Sequence, residues 1–174
     1  MDKTKSLIPE QYHAIEQIIE QTPFNDAGVS LTRLQSAEIK NLGDRSANTA
    51  TLVWVRMRPG AKVGAHLHES GGEIELPLTD IISVLSNPLK EGHNHTVADG
   101  HVLAEKTEPK LLKAFMPLTV PEGVSHEFIN PRDDAFADIL FFLPDDHATA
   151  TDKKLVASQY PDAHALEQLR ARFK

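Results

Sequence analysis

The 174-residue sequence contains no cysteine, which excludes disulfides and thiolate metal ligands and agrees with a reducing compartment. Basic residues are scarce as well: 18 Lys and Arg stand against 25 Asp and Glu, for a formal net charge of −7. No Lys/Arg cluster rises above that acidic background, so neither nucleic acid nor an anionic membrane surface is an expected partner. No run approaches the roughly 18 apolar residues that a membrane span needs, and Met1 to Glu10 has no apolar core of signal-peptide length. The expectation is a cytoplasmic protein. Repeats, low-complexity tracts and domain-separating linkers are missing too. What is present is an ordinary globular composition, 40% hydrophobic and 25% charged, long enough to bury a sizeable core and expected to form one domain over residues 1–174.

His66-Leu67-His68, with Glu73 five residues later and His126 far downstream, is the most informative pattern. Side chains two apart on a β-strand point to one face, so His66 and His68 can aim two imidazoles at one point without backbone distortion. A second string, Pro121-Glu122-Gly123-Val124-Ser125-His126-Glu127-Phe128-Ile129-Asn130, carries a turn signal. Proline fixes φ and glycine accepts angles other residues resist, which would swing His126 inward. The stretch from Gly60 through His66 and His68 to Glu73, together with this second string, resembles the two signature motifs of the cupin superfamily. Two positions depart from that pattern: Asp80 stands where the first motif usually closes with Gly, and Phe115 where the second usually opens with Gly.

The resemblance implies an all-β fold, a cupin-type antiparallel β-barrel (double-stranded β-helix), with one divalent metal in its lumen held by His66, His68, Glu73 and His126. Three neutral imidazoles and a carboxylate suit Fe(II), Mn(II), Ni(II), Co(II) or Zn(II) better than Ca²⁺ or Mg²⁺. In a six-coordinate ion they leave two positions for water, substrate or dioxygen, the mark of a working site. Asn130, on the face of His126 and Phe128, reads as a structural amide or as a hydrogen-bond support behind the ligands.

Apolar residues at helical spacing predict an N-terminal helix over Pro9 to Gln21, with Tyr12, Ile15, Ile18 and Ile19 on its packed face. Strand-like runs follow at Val29–Leu34, Thr51–Arg58, Val63–His68, Glu73–Leu76, Ile81–Leu85, Lys113–Val120, Ser125–Ile129 and Asp138–Leu143, so the barrel core spans about residues 27–145. Beyond Pro144 the composition predicts helices over Asp152–Gln159 and Asp162–Phe173, the latter with an Ala163, Leu166, Leu169 and Phe173 stripe. Phe115, Phe128, Phe141 and Phe142 read as core.

Other residues are candidates for the chemistry. Glu75 shares the face of Glu73 and could serve as a general acid or base with its pKa raised by burial, unless Pro77 bends the strand and leaves it at the rim. Trp54, Arg56 and Arg58 share one face of their strand and could offer substrate an aromatic wall and two guanidinium groups if that face looks inward; if outward, they form a solvated or subunit-contact face. The 34 residues from Ile81 to Ala114 exceed what a hairpin needs and carry a second pair, His93 and His95. Either they form a lid that brings imidazoles to substrate, or a solvated loop, the reading preferred because no carboxylate arrives at a telling offset.

The functional expectation is a metal-dependent enzyme acting on a small polar metabolite, with Fe(II) dioxygenase chemistry leading. A non-redox lyase, isomerase or decarboxylase is a close second, and a non-catalytic binding module a third. A homodimer is expected.

Overall fold

The computed structural model describes residues 10–39, 48–69, 71–144 and 153–173. Helix α1 (Glu10–Gln21) leads into β1 (Val29–Ile39), β2 (Asn48–Met57), β3 (Lys62–His68), β4 (Glu73–Pro77) and β5 (Ile81–Ser86). Four two-residue strands follow, β6 (Lys90–Glu91), β7 (Asn94–His95), β8 (Val97–Ala98) and β9 (His101–Val102). Then come β10 (Lys110–Leu112), β11 (Leu118–Val120), β12 (Ser125–Ile129), β13 (Ala137–Pro144), β14 (Lys153–Leu155) and α2 (Ala163–Ala171). The long strands form two antiparallel five-stranded sheets, β1-β2-β13-β4-β11 and β10-β5-β12-β3-β14. Among the described residues no strand pairing joins one sheet to the other, so the expected barrel takes the form of two facing sheets.

Alternation along the strands builds the layer between the sheets. Val55 and Met57 of β2, Ile139 and Phe141 of β13, Ile81 of β5 and Phe128 of β12 pack into one buried cluster. Removing that much branched and aromatic surface from water is the main force holding the sheets face to face. Two smaller clusters lie on the outer side of the second sheet. Ala65 and Leu67 of β3 pack with Val102 and Val156. Ile82, Val84 and Ile129 pack with Leu169 of α2, flanked by Leu166 and Phe173. Asp162 caps α2, its Oδ1 accepting the Ala165 N–H at 2.8 Å, which satisfies one of the helix's orphan donors. In α1 the packed face is narrower than the sequence suggests: Ile19 is buried and Ile15 half-buried, but Ile18 is exposed.

Several expectations are corrected here. In the described part of the 152–159 segment Lys153–Leu155 forms β14, paired with β3, and the rest is not helical; Asp152 lies outside the described residues. Its two lysines and Leu155 favour helix on their own, and the open edge of β3 supplies the partner that overrides that preference. The Lys113–Val120 run is interrupted by a turn at Phe115, whose φ is +64°. Phe115 (69% exposed) and Phe142 are surface residues, whereas Phe128 and Phe141 are core.

Candidate metal centre

β3 carries the first two candidate ligands, and its register shows how. Against β12, His66 pairs with His126 and Val63 with Phe128, so three residues of β3 span two of β12. The extra residue is a bulge at Gly64–Ala65. It turns the Gly64 carbonyl onto His66, which donates from Nδ1 at 2.8 Å; a carbonyl only accepts, so the proton is on Nδ1 and the lone pair on Nε2. The bulge also reverses the alternation, so that Val63 and His66 both face the cavity while Lys62 reaches Glu127 at 2.8 Å.

His126 arrives from β12, behind the predicted turn. Gly123 has φ +72° and donates its N–H to the His68 carbonyl at 2.8 Å, tying the turn to the end of β3. Gly72 lets the start of β4 pass close to β11: a Cβ there would stand 2.7 Å from the Val120 carbonyl. Glu73 follows at once and points inward.

The four side chains converge. One ligand atom from each of His66, His68, Glu73 and His126 can be chosen so that all lie within 4.8 Å of one another, and all four residues are buried. His68 Nε2 is 2.9 Å and His126 Nε2 3.6 Å from Glu73 Oε1, and the His66 and His126 ring centroids are 4.1 Å apart. Bonds of about 2.1 Å to one ion put neighbouring ligand atoms about 3 Å apart and opposite ones about 4.2 Å apart. The cluster matches that spacing. His126 Nε2 is buried and has no hydrogen-bond partner, a cost that a bound ion would remove.

Electrostatics favour neutral imidazoles. Burial holds the His66 pKa well below its ordinary value, with His126 adding to the effect. Burial likewise lowers His126 to about 4, against the opposing pull of Glu73. Both rings therefore keep a lone pair available near neutrality.

Glu75 is fully buried, so Pro77 does not leave it at the rim. Both of its oxygens are buried without a hydrogen-bond partner. Desolvation first, then the charge of Glu73, pushes its pKa up to about 9.

A cavity of about 410 Å³ opens onto the cluster, lined by His66, His68 and Glu73 together with apolar residues from both sheets. None of the five residues expected to contact substrate lines it. Trp54 Nε1 donates to Asp138 Oδ1 at 2.7 Å, and Arg56 donates from Nε at 2.8 Å and from Nη2 to Oδ2 at 3.2 Å. Arg58 lies over the Phe24 ring at 4.5 Å. Inward places on β2 go to Val53, Val55 and Met57, so the charged face looks out. His93 is exposed, and His95 sits 4.0 Å from a Glu69 oxygen. Their segment folds as two small hairpins, anchored through Val102 on the outer side of the second sheet rather than over the cavity. Asn130 is a structural amide: its Nδ2 donates to the carbonyls of Met57, Arg58 and Ala135, and its Oδ1 accepts the Arg132 N–H. Among the cavity residues that escaped the sequence reading are Arg33 on β1 and Lys153 on β14. Neither belongs to a motif, and Lys153 lies in the segment read as helix; only its pairing with β3, Lys153 opposite His68, brings it to the site.

No family model matches the sequence, and no curated protein matches it. Solved structures do. One described as oxalate oxidase shares 14% identity over 90% of this chain and 78% of its own, with a TM-score of 0.53. Peruvianin-I, described as a cysteine peptidase from Thevetia peruviana latex, shares 14% over 80% and 75%, with a TM-score of 0.51. An uncharacterized conserved Klebsiella pneumoniae protein with a double-stranded β-helix domain shares 13% over 81% and 95%, with a TM-score of 0.50. Likeness at such identity shows the fold alone. The chain has the double-stranded β-helix fold of the cupins, and its buried His-His-Glu-His group fits a metal site. Among the described residues no helix is long and apolar enough to cross a membrane.

Proposed function

We propose that the protein is a mononuclear metal-dependent enzyme acting on a small metabolite, with Fe(II)-dependent oxygenation as the leading chemistry. The observation that carries the reading is the convergence of His66, His68, Glu73 and His126 at ligand spacing on the wall of a cavity large enough for a metabolite. These four residues would hold the ion, His66 through Nε2 because its Nδ1 is engaged by Gly64. When bound, Fe(II) would supply the redox step with dioxygen, which no side chain in this cysteine-free site provides. The apolar part of the wall lowers the local dielectric and strengthens electrostatic interactions beside it. Glu75, an unpartnered buried acid two residues from Glu73, is the candidate for holding a proton near the reacting atoms.

A non-redox reading, in which the ion acts as a Lewis acid for a lyase, isomerase or decarboxylase, is favoured by that same buried acid, since proton transfer is central to such reactions. Metal analysis of protein purified without added metal, followed by oxygen uptake with metabolite pools, separates the two. Iron with substrate-dependent oxygen consumption supports oxygenation. Product formed anaerobically with zinc or manganese overturns it in favour of the second reading, and protein that takes up no transition metal overturns both.

A further inference from the structure

The cavity wall carries two cations that the candidate ligand set does not use. Arg33 reaches it from β1 and Lys153 from β14, on the sheet edge beside His68. Beyond their strand pairing, neither side chain makes a hydrogen bond or ion pair with any described residue. Lys62, a third cation on this wall, contrasts with them: its Nζ donates to Glu127 Oε1, Ser158 Oγ and the Tyr160 carbonyl at 2.7–2.8 Å, so its charge is already answered. Among the described residues Glu73 is the sole acid in the lining, and much of the remaining wall is apolar, including Val53, Val63 and Phe141. In a chain of net charge −7, this is a local reversal of sign. A cation beside low-dielectric walls focuses its field into the cavity and raises the local concentration of anions.

We propose that this cavity is a small-carboxylate site, in which the carboxylate faces Lys153 and Arg33 and an apolar body lies against Val53, Val63 and Phe141. The volume of about 410 Å³ falls toward the lower end of the roughly 300–1,000 Å³ typical of small-molecule sites, which suits a short-chain or single-ring acid. The inference rests on the reading of this cavity as the substrate site, but the subsite belongs to Lys153 and Arg33 and not to the ion.

The test is calorimetric titration of the full-length protein, as purified and after chelator treatment, with hexanoate and with hexanamide, which keeps the apolar body and removes the charge. Hexanoate should bind both preparations and hexanamide at least about tenfold more weakly, the scale of one charge-assisted contact. Lys153→Met should weaken hexanoate by a similar factor and erase its advantage over the amide, Arg33→Met should weaken it less, and Lys153→Arg should retain most of the affinity. Higher salt should weaken hexanoate and leave hexanamide unchanged. Circular dichroism checks each variant; if Lys153→Met does not fold, Arg33→Met and the salt series decide alone. Equal affinity for acid and amide would overturn the inference. So would hexanoate binding that vanishes on chelation and ignores Lys153→Met, because the carboxylate would then be meeting the ion; that result leaves the metal reading intact. Retained hexanoate selectivity in protein that never takes up metal would sink the metal reading and keep this one.

Discussion

A buried imidazole is a poor base, and that is what suits it to be a ligand. His66 and His126 lose hydration in the fold, so protons bind them weakly and their lone pairs stay open. The hydrogen bond from His66 Nδ1 to the Gly64 carbonyl fixes which nitrogen faces the cluster. Replacing His66 and His68 together with Ala should therefore abolish metal uptake and leave a folded protein, since neither ring belongs to the apolar clusters that join the sheets. Elemental analysis beside a far-ultraviolet dichroism spectrum checks this, and full metal retention would refute the assignment. Metal affinity should also fall as pH drops below about 5 toward the His126 value of about 4, because protons then compete for the same lone pairs; a titration still flat at about pH 4 would point to other ligands. At this scale the sequence is most readable where geometry is local. His66 with His68, and Glu73 with Glu75, share faces because strand periodicity is two. The same periodicity groups Trp54, Arg56 and Arg58, yet it does not say which face turns inward, and there the outward face carries Asp138 as partner. Arg33 and Lys153 reach the cavity through non-local placement, which no local pattern encodes.

Turns and strand edges show how the chain handles its departures from the cupin motifs. Asp80 and Phe115, the two positions where glycine is usual, meet in space. Asp80 pairs with Lys113 at 2.8 Å and accepts the Ala114 N–H at 2.9 Å, both of which hold its carboxyl below the ordinary range. Phe115, next along, donates its N–H to the Pro77 carbonyl at 2.7 Å while adopting φ +64°. That is a glycine conformation on a bulky residue, costing on the order of 1–2 kcal/mol. The ring is exposed, so little packing offsets the strain. Phe115→Gly should raise unfolding stability by about 0.5–1 kcal/mol, the strain relieved less the extra chain entropy of glycine, while Phe115→Ala should give no gain. Denaturant melts measure both, and a destabilised glycine variant would mean that the ring is packed after all. The position where the resemblance expects glycine is thus a real turn, and Asp80 props it from the other side through a contact 34 residues away in sequence, beyond the reach of any local motif. β14 is the opposite case. Its residues carry no strand signal of their own, and its conformation comes from the free edge of β3, a tertiary fact.

Across the whole molecule, the buried titratable groups make stability depend on pH in two opposed senses. His126 has its folded pKa near 4, below the ordinary 6.5, so the stability tied to its neutral form is present above about pH 6.5 and is lost as pH falls through 4. Glu75 has its folded pKa near 9, above the ordinary 4.5, so its contribution is present at low pH and is lost as pH rises toward 9. Between about pH 7.5 and 9 His66 and His126 are neutral in both folded and unfolded chains, and Glu75 bends the curve downward. Lys153, with its pKa lowered mainly by desolvation, acts in the opposite sense nearer the ordinary lysine range. Chelator-treated protein should therefore lose stability steadily across this window, with a slope of at most about 1.4 kcal/mol per pH unit for one proton. Glu75→Gln keeps the shape and removes the proton, so its curve should be flat over the same range and cross the parent's, lying above it at pH 9. Urea melts at half-unit pH steps resolve such a slope. Parallel curves for the two proteins would show that Glu75 ionises in the folded state as readily as in water, and would take away the physical ground for assigning it a proton at neutral pH.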